Sequence, residues 1–265
     1  CMWLFPLQGL APYQKQRAQK VTSKHFKVGS YYLTAAIILT CIAIGLKSWT
    51  LWLLYPALSL YLVALAYYLV RPHFFQKQAN GQFIIAAFIL FAPYIAFAWC
   101  NSRIWTRKKH QDSLIFSTPH LEIYLGRIPT QQHARRYDAI FDCCAELPSE
   151  KPYAYASYYC LDLMLLTPEQ LSNASQALQQ LLEQSIQHKL PLESDHQKIT
   201  ILIHCALGYS RSSSILAAWL LQQHYASDID HAIEIIKLAR PFIVLKPLQQ
   251  HALLIFSQQN TIHLD

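Results

Sequence analysis

The stretch from Ile199 to Tyr225, ITILIHCALGYSRSSSILAAWLLQQHY, leaves the chain little freedom in how it folds. Ile199 to Ile203 is a short apolar, β-branched run of the kind that forms a fully buried strand. Ser212 to Tyr225 is apolar at helical spacing, with Ile215, Ala218, Trp219, Leu220 and Leu221 available to one side. The loop between them, Cys205 to Arg211, therefore leads from a strand end into a helix N-terminus. Backbone N–H groups and the positive end of the helix dipole meet there, so the concavity attracts an anion such as phosphate. Gly208 supplies the freedom for a tight wrap, and Arg211 offers a planar fork for two phosphate oxygens. A cysteine beside both a helix N-terminus and an arginine favours its thiolate, which makes Cys205 a candidate nucleophile.

His204-Cys205-Ala206-Leu207-Gly208-Tyr209-Ser210-Arg211-Ser212 resembles the signature loop of the dual-specificity phosphatases, a branch of the cysteine-dependent protein tyrosine phosphatases. The resemblance extends over roughly residues 115–260, through Ile123 to Pro129 (IYLGRIP), the phrase DAIFDCCAELP that follows, and Ala239-Arg240-Pro241. It implies Cys205 as nucleophile, Arg211 as phosphate clamp, His204 as a support for the thiolate, and Ser212 as a hydroxyl easing thiolate departure. The phosphate would lie against Ala206, Leu207, Gly208, Tyr209, Ser210 and Arg211. It also implies an α/β domain with a central mixed sheet flanked by helices. Rhodanese-type sulfurtransferases place a cysteine in a similar loop but usually lack this histidine and this arginine.

Upstream, the chain is of another kind. Residues 1–111 hold 12 Lys or Arg and no Asp or Glu, whereas residues 112–265 hold 10 Lys or Arg and 15 Asp or Glu. The basic residues flank apolar runs instead of forming a stripe on a globular domain, which argues for a membrane and against nucleic acid as the partner. Residues 1–30 read as a basic apron, 31–46 and 49–70 as two spanning helices, 83–100 as a third apolar segment, 101–115 as a basic linker, and 116–265 as the catalytic domain. Flanking charge favours a third segment that lies in the interface or re-enters, bent at Pro93, with the catalytic domain in the cytoplasm. A membrane-anchored member of the bacterial type, in the inner membrane, is the resulting expectation. The chain begins at Cys1 and not Met, which fits either residues missing upstream or an unusual start.

Phosphate-ester cleavage also needs a general acid. A strand expected at Tyr158 to Leu166 contains Asp162, 43 residues before Cys205, with the polar stretch from His188 to Gln197 absorbing the spacing; Glu169, at the start of the next helix, is the reserve. Arg240 either faces the site or caps its helix, and the cap is the favoured reading. The seven cysteines give no disulfide framework, and none of the 12 histidines pairs with Cys or acid at coordination spacing, so neither metal nor cofactor is expected. The loop interior carries no Lys or Arg, which favours a single phosphate over a highly phosphorylated headgroup. The leading expectation is a phosphatase of phosphotyrosine, phosphoserine or phosphothreonine in proteins. The alternatives are a phosphatase of a lipid monophosphate, such as phosphatidylglycerol phosphate, and a catalytically weak, membrane-tethered phosphate-binding module.

Overall fold

The computed structural model describes residues 12–149, 154–189 and 198–262; the expected polar insertion lies, from residue 190, outside them. The chain divides into two compact units, Cys1–Arg71 and Pro72–Asp265. In the first, helix α1 (Pro12–Leu46) packs against α2 (Leu54–Tyr68), which follows a 3-10 turn at Ser48–Leu53. Gly29 makes the close approach possible, since a Cβ there would meet the Tyr68 ring at 3.0 Å. Ser30 and Tyr68 share a hydrogen bond of 3.0 Å, and Thr40 and Tyr61 one of 3.3 Å. The first helix begins well upstream of residue 31, which lengthens its apolar segment to Lys24–Leu46, 23 residues; Ser48–Tyr68 supplies 21. Each is long and apolar enough to cross a bilayer.

The second unit contains the third apolar helix as well as the sheet. Helix α3 (Ile85–Thr106) runs unbroken through Pro93 for 22 residues and is also long and apolar enough to cross. Both of its ends, however, are tied to the same globular body. Before it, Lys77 and Phe83 form a β-bridge, and Gly81 in that turn accepts a hydrogen bond from Ser149 N–H at 2.8 Å. Gly81 has φ +83°, and a Cβ there would meet Ser149 O at 2.6 Å, so the turn requires glycine. At its other end, Ser102 Oγ donates to Ala206 O at 2.7 Å and Arg103 donates to Ile128 O at 3.0 Å. A helix of 22 residues is about 33 Å long. It therefore bridges two anchoring points of the same unit, leaving Ile85, Phe88, Ile89, Phe97, Ile104 and Trp105 exposed.

Five strands form one mixed sheet in the order β1-β2-β5-β3-β4: β1 (Ser113–Ser117), β2 (Leu121–Arg127), β3 (Ala139–Cys144), β4 (Ala154–Cys160) and β5 (Ile199–Cys205). The edge strand β1 is antiparallel to β2, and the remaining pairs are parallel. β5 occupies the centre because it is apolar on both faces and fits only where both faces are covered. Its carboxyl end, between β2 and β3, is where a doubly covered sheet opens a crevice. Helices α5 (Pro168–Lys189), α6 (Arg211–Gln222), α7 (Ile229–Ala239) and α8 (Pro247–Ile262) contribute to one large core, while short α4 (Gln131–Ala134) joins a smaller cluster with Tyr137, Ile140 and Leu202. The strand expected at Tyr158–Leu166 is displaced: β4 ends at Cys160, and Asp162 lies in the turn beyond it.

Lys77 reaches from the turn before α3 into this unit's interior. Its Nζ sits 2.5 Å from Asp142 Oδ2, 2.7 Å from Cys144 O and 2.6 Å from Leu147 O, with both charged side chains almost wholly buried. Three acceptors satisfy its three donors. Removing the ammonium would leave a buried carboxylate uncompensated. Lys77→Met should destabilise the second unit by about 3–5 kcal/mol, and Lys77→Met combined with Asp142→Leu should recover much of that. Tryptophan fluorescence during denaturant unfolding checks both; a single variant as stable as the parent contradicts the buried pair.

Candidate active site

Each carbonyl of the loop that follows β5 is held from outside. Ala206 O accepts from Ser102 Oγ at 2.7 Å, Leu207 O from Arg240 Nη2 at 3.5 Å, and Gly208 O from Arg240 Nε at 2.9 Å. Tyr209 O accepts from Val244 N–H at 2.7 Å, and Ser210 O from Ser214 N–H at 2.8 Å. Peptide planes whose carbonyls point outward turn their N–H groups toward the loop's interior. Gly208 makes the wrap possible: its φ is +72°, and a Cβ would strike Gly126 O at 2.2 Å. Ser210, at the N-cap of α6, makes no capping bond and instead accepts from Gln249 Nε2 at 2.6 Å, so its own side chain leaves the helix's first amides free to face the loop's interior.

Cys205 Sγ is the sulfur inside this ring. Gly208 N–H approaches it at 3.2 Å and Ser212 Oγ at 3.4 Å. Burial pushes its pKa up, but the Arg211 guanidinium, the Ser212 hydroxyl and amide, and the Gly208 amide outweigh burial and hold the thiol below its ordinary value. The neighbouring buried thiols behave oppositely. Burial, reinforced by Glu146, raises Cys144; Cys143 is pushed up by burial; Cys160 is pushed up to about 12 by burial, against the pull of Arg211. All four are free cysteines, and only this one sits within reach of the loop amides.

Arg211 opens α6 and is almost fully buried. Its Nη1 donates to Glu146 Oε2 and to Cys160 O, both at 2.7 Å, and its Nη2 lies 3.2 Å from Asp162 Oδ1. Nε is buried without a partner among the described residues, which leaves a donor for an arriving anion. Burial lowers its pKa, yet Glu146 and Asp162 raise it well above the ordinary arginine value, so the charge is permanent. Asp162 is half exposed at the rim, and its backbone N–H donates to Glu146 Oε1. The structure thus brings Cys205, Arg211, Ser212 and Asp162 together. Glu169 stays in the first turn of α5, where the helix dipole favours an acid.

His204 is completely buried behind the loop. Its Nε2 lies 3.0 Å from Ser149 Oγ, and its Nδ1 lies 3.8 Å from Asp142 Oδ1. Burial lowers its pKa by more than Asp142 raises it, so the ring is neutral at physiological pH and acts through hydrogen bonds, not charge. Asp142 is pushed up by burial, but Lys77, His204 and Tyr155 hold it below the usual carboxylate value.

Several members of this constellation escaped the sequence. Arg240 is not merely the cap of α7: its guanidinium is buried and grips two loop carbonyls while Nη1 reaches Gln111 O at 3.0 Å. Its placement directly before a proline favoured a helix end, and of the two readings it is the site-facing one that the bond to the loop 32 residues away supports. Glu146 and Asp142 were visible only as acids within the apolar phrase DAIFDCCAELP, a signal that a buried cation or hydrogen-bond network must meet them. Among the described residues, no cluster of three or more His, Cys, Asp or Glu is arranged to hold a metal.

With this geometry in view, the comparisons with known proteins identify the class. Residues 123–259 match the family model of the dual specificity phosphatase catalytic domain. The chain belongs to the dual-specificity phosphatase family and is a phosphoric monoester hydrolase. Among solved structures it is similar to Tk-PTP in the active form (20% identity, 56% of this chain and 97% of that one, TM-score 0.44). It is also similar to PTPMT1 in complex with PI(5)P (19% identity, 58% and 99%, TM-score 0.43) and to human DUSP28 (14%, 57% and 95%, TM-score 0.42). No curated protein matches the chain in sequence.

Because Cys205 alone among these buried thiols is shifted downward, iodoacetamide should modify it at a pH below the ordinary cysteine range, before Cys143, Cys144 or Cys160. Arg211→Met should move that reactivity upward in pH, since the largest stabilising charge is lost. Peptide mass mapping of alkylation against pH checks this; an unshifted profile in the variant contradicts the role of the guanidinium.

Proposed function

We propose that the chain is a membrane-anchored phosphatase that cleaves phosphate monoesters through a phosphocysteine. Cys205 thiolate attacks phosphorus, the P–O bond to the leaving group breaks, and Asp162 donates its proton to the departing oxygen. Water then attacks the thiophosphate, Asp162 takes the water's proton, inorganic phosphate leaves, and the thiolate is restored with Ser212 donating to it. Arg211, with its unpartnered Nε, and the inward amides bind the equatorial oxygens in both steps. The observation that carries this reading is the pairing of a depressed thiol with Asp162 3.2 Å from the clamp arginine. Glu146 is a positioning residue, holding the guanidinium plane from behind.

α1 and α2 span the bilayer in this reading, while α3 lies in the plane of the interface, because both its ends are tied to one domain and its outer face is apolar along its length. Arg103, Arg107, Lys108 and Lys109 at its end match the positive charge of cytoplasmic flanks, which supports a cytoplasmic catalytic domain in this reading. Phosphorylated Tyr, Ser or Thr of proteins is the leading substrate class. A lipid monophosphate is a second reading, favoured by one contact: the interfacial helix touches the phosphate loop itself, through Ser102 and Ala206.

Purified full-length protein should hydrolyse aryl phosphates, and Cys205→Ser should abolish turnover while keeping phosphate binding. Asp162→Asn should slow alkyl phosphates by about 10²–10⁴-fold and nitrophenyl phosphate much less, since only a poor leaving group needs the proton. Equal slowing across a leaving-group series contradicts the acid role. No turnover by the parent chain on phosphopeptides or on phosphatidylglycerol phosphate in vesicles would leave only the phosphate-binding module.

A further inference from the structure

Beside the phosphate loop, but outside it, lies a cavity of about 110 Å³ lined by Arg103, His110, Asp112, Arg127, Thr130 and His133. That is several times the ~10–15 Å³ needed for one water. Its walls are fixed. Arg103 stacks 4.0 Å over the Trp99 ring and donates to Ile128 O, and Arg127 donates to Thr106 Oγ1 at 2.6 Å. Asp112 Oδ2 is taken by His133 Nε2 at 2.6 Å and Tyr137 Oη at 2.7 Å, whereas its Oδ1 is buried against Gly126 with no partner among the described residues.

The charges do not balance. Arg103 and Arg127 bring two positive charges to a single carboxylate, and Arg240 adds a third, with its own donors already engaged by backbone carbonyls. Among the described residues, none of these three arginines forms an ion pair. Partly buried cations in excess of the one carboxylate they share are costly, so the cavity favours an anionic occupant. Burial pulls Arg127 and Arg240 below the ordinary arginine value, against the opposing pull of Asp112. A phosphodiester carries one negative charge and offers acceptor oxygens that suit two guanidinium forks.

Position supplies the source. The cavity sits at the end of α3, next to exposed Ile104 and Trp105 and to the exposed basic run Arg107-Lys108-Lys109. Tryptophan and lysine or arginine in such an arrangement mark the headgroup layer. We propose that this cavity binds the phosphodiester of an anionic phospholipid headgroup, separately from the phosphate that Cys205 attacks. The bound lipid would sit against Ile128, whose N–H bonds Ala206 O at 3.5 Å, one residue from the nucleophile. The headgroup source rests on α3 lying in the interface; the need for an anion rests on the cavity alone.

The test measures lipid retained by the full chain, so it needs no turnover and is separable from the phosphatase reading. Protein in nanodiscs of mixed phosphatidylcholine and phosphatidylglycerol is exchanged into neutral detergent, and retained lipid is read by native mass spectrometry. One phosphatidylglycerol should remain in preference to phosphatidylcholine, and Arg103→Gln with Arg127→Gln should reduce that preference about tenfold or more. Arg107→Gln with Lys108→Gln, which removes equal charge outside the cavity, should keep it. His133→Trp, which fills the cavity at a half-exposed position, should also lose it and serves if the arginine pair fails to fold. Equal loss from the Arg107 and Lys108 pair, or no loss from the cavity variants, overturns the site. Soluble glycerophosphoglycerol should compete for it at high concentration. Displacement by inorganic phosphate at least as effective as by that diester overturns the lipid assignment in favour of a free-phosphate site.

Discussion

Everything in the catalytic unit depends on one constraint: five successive carbonyls after Cys205 must point away from the centre of their loop. Each has a partner that holds it there, from the end of α3, from Arg240, from the segment before α8, or from within α6. Only then do the intervening amides converge on the sulfur and on the space above it. A thiolate buried to this depth is unfavourable by itself. It is tolerated because the loop supplies fixed dipoles and one permanent cation at the place where water would otherwise be needed.

That cation requires support in its turn. Arg211 is buried, so its charge must be met on the protein side without occupying the face it offers to phosphate. Glu146 and the Cys160 carbonyl take Nη1, Asp162 takes Nη2, and Nε stays open. Behind the loop, a second buried layer built from Lys77, Asp142, Ser149 and neutral His204 locks the β5 end in place. Lys77 belongs to the turn that precedes α3. The segment linking the helical hairpin to the enzyme is therefore part of the enzyme's interior, and the division of the chain falls at Arg71.

The sequence made the proposed nucleophile, the proposed clamp arginine and the strand–loop–helix plain because they are local: spacing within a dozen residues carries the chemistry. Asp162, the proposed acid, does lie beside Arg211, although in a turn where a strand was expected, since Tyr158 to Leu166 is apolar but for Asp162 itself while the strand ends at Cys160. What could not be read was anything that acts across the fold. Arg240 and Glu146 reach the loop from far along the chain, and Lys77 looked like one more flanking charge between apolar runs. The third apolar segment was legible as apolar but not as a helix tied at both ends, because Ser102 and Gly81 carry no local mark of their distant partners.

The most direct measurement is rapid acid quench of the full-length Asp162→Asn protein during turnover of nitrophenyl phosphate, followed by peptide mass spectrometry. A phosphate carried on the peptide containing Cys205, absent from the Cys205→Ser protein, is the predicted result. Turnover with no phosphopeptide, or with phosphate on any other residue, contradicts a thiolate nucleophile in this loop.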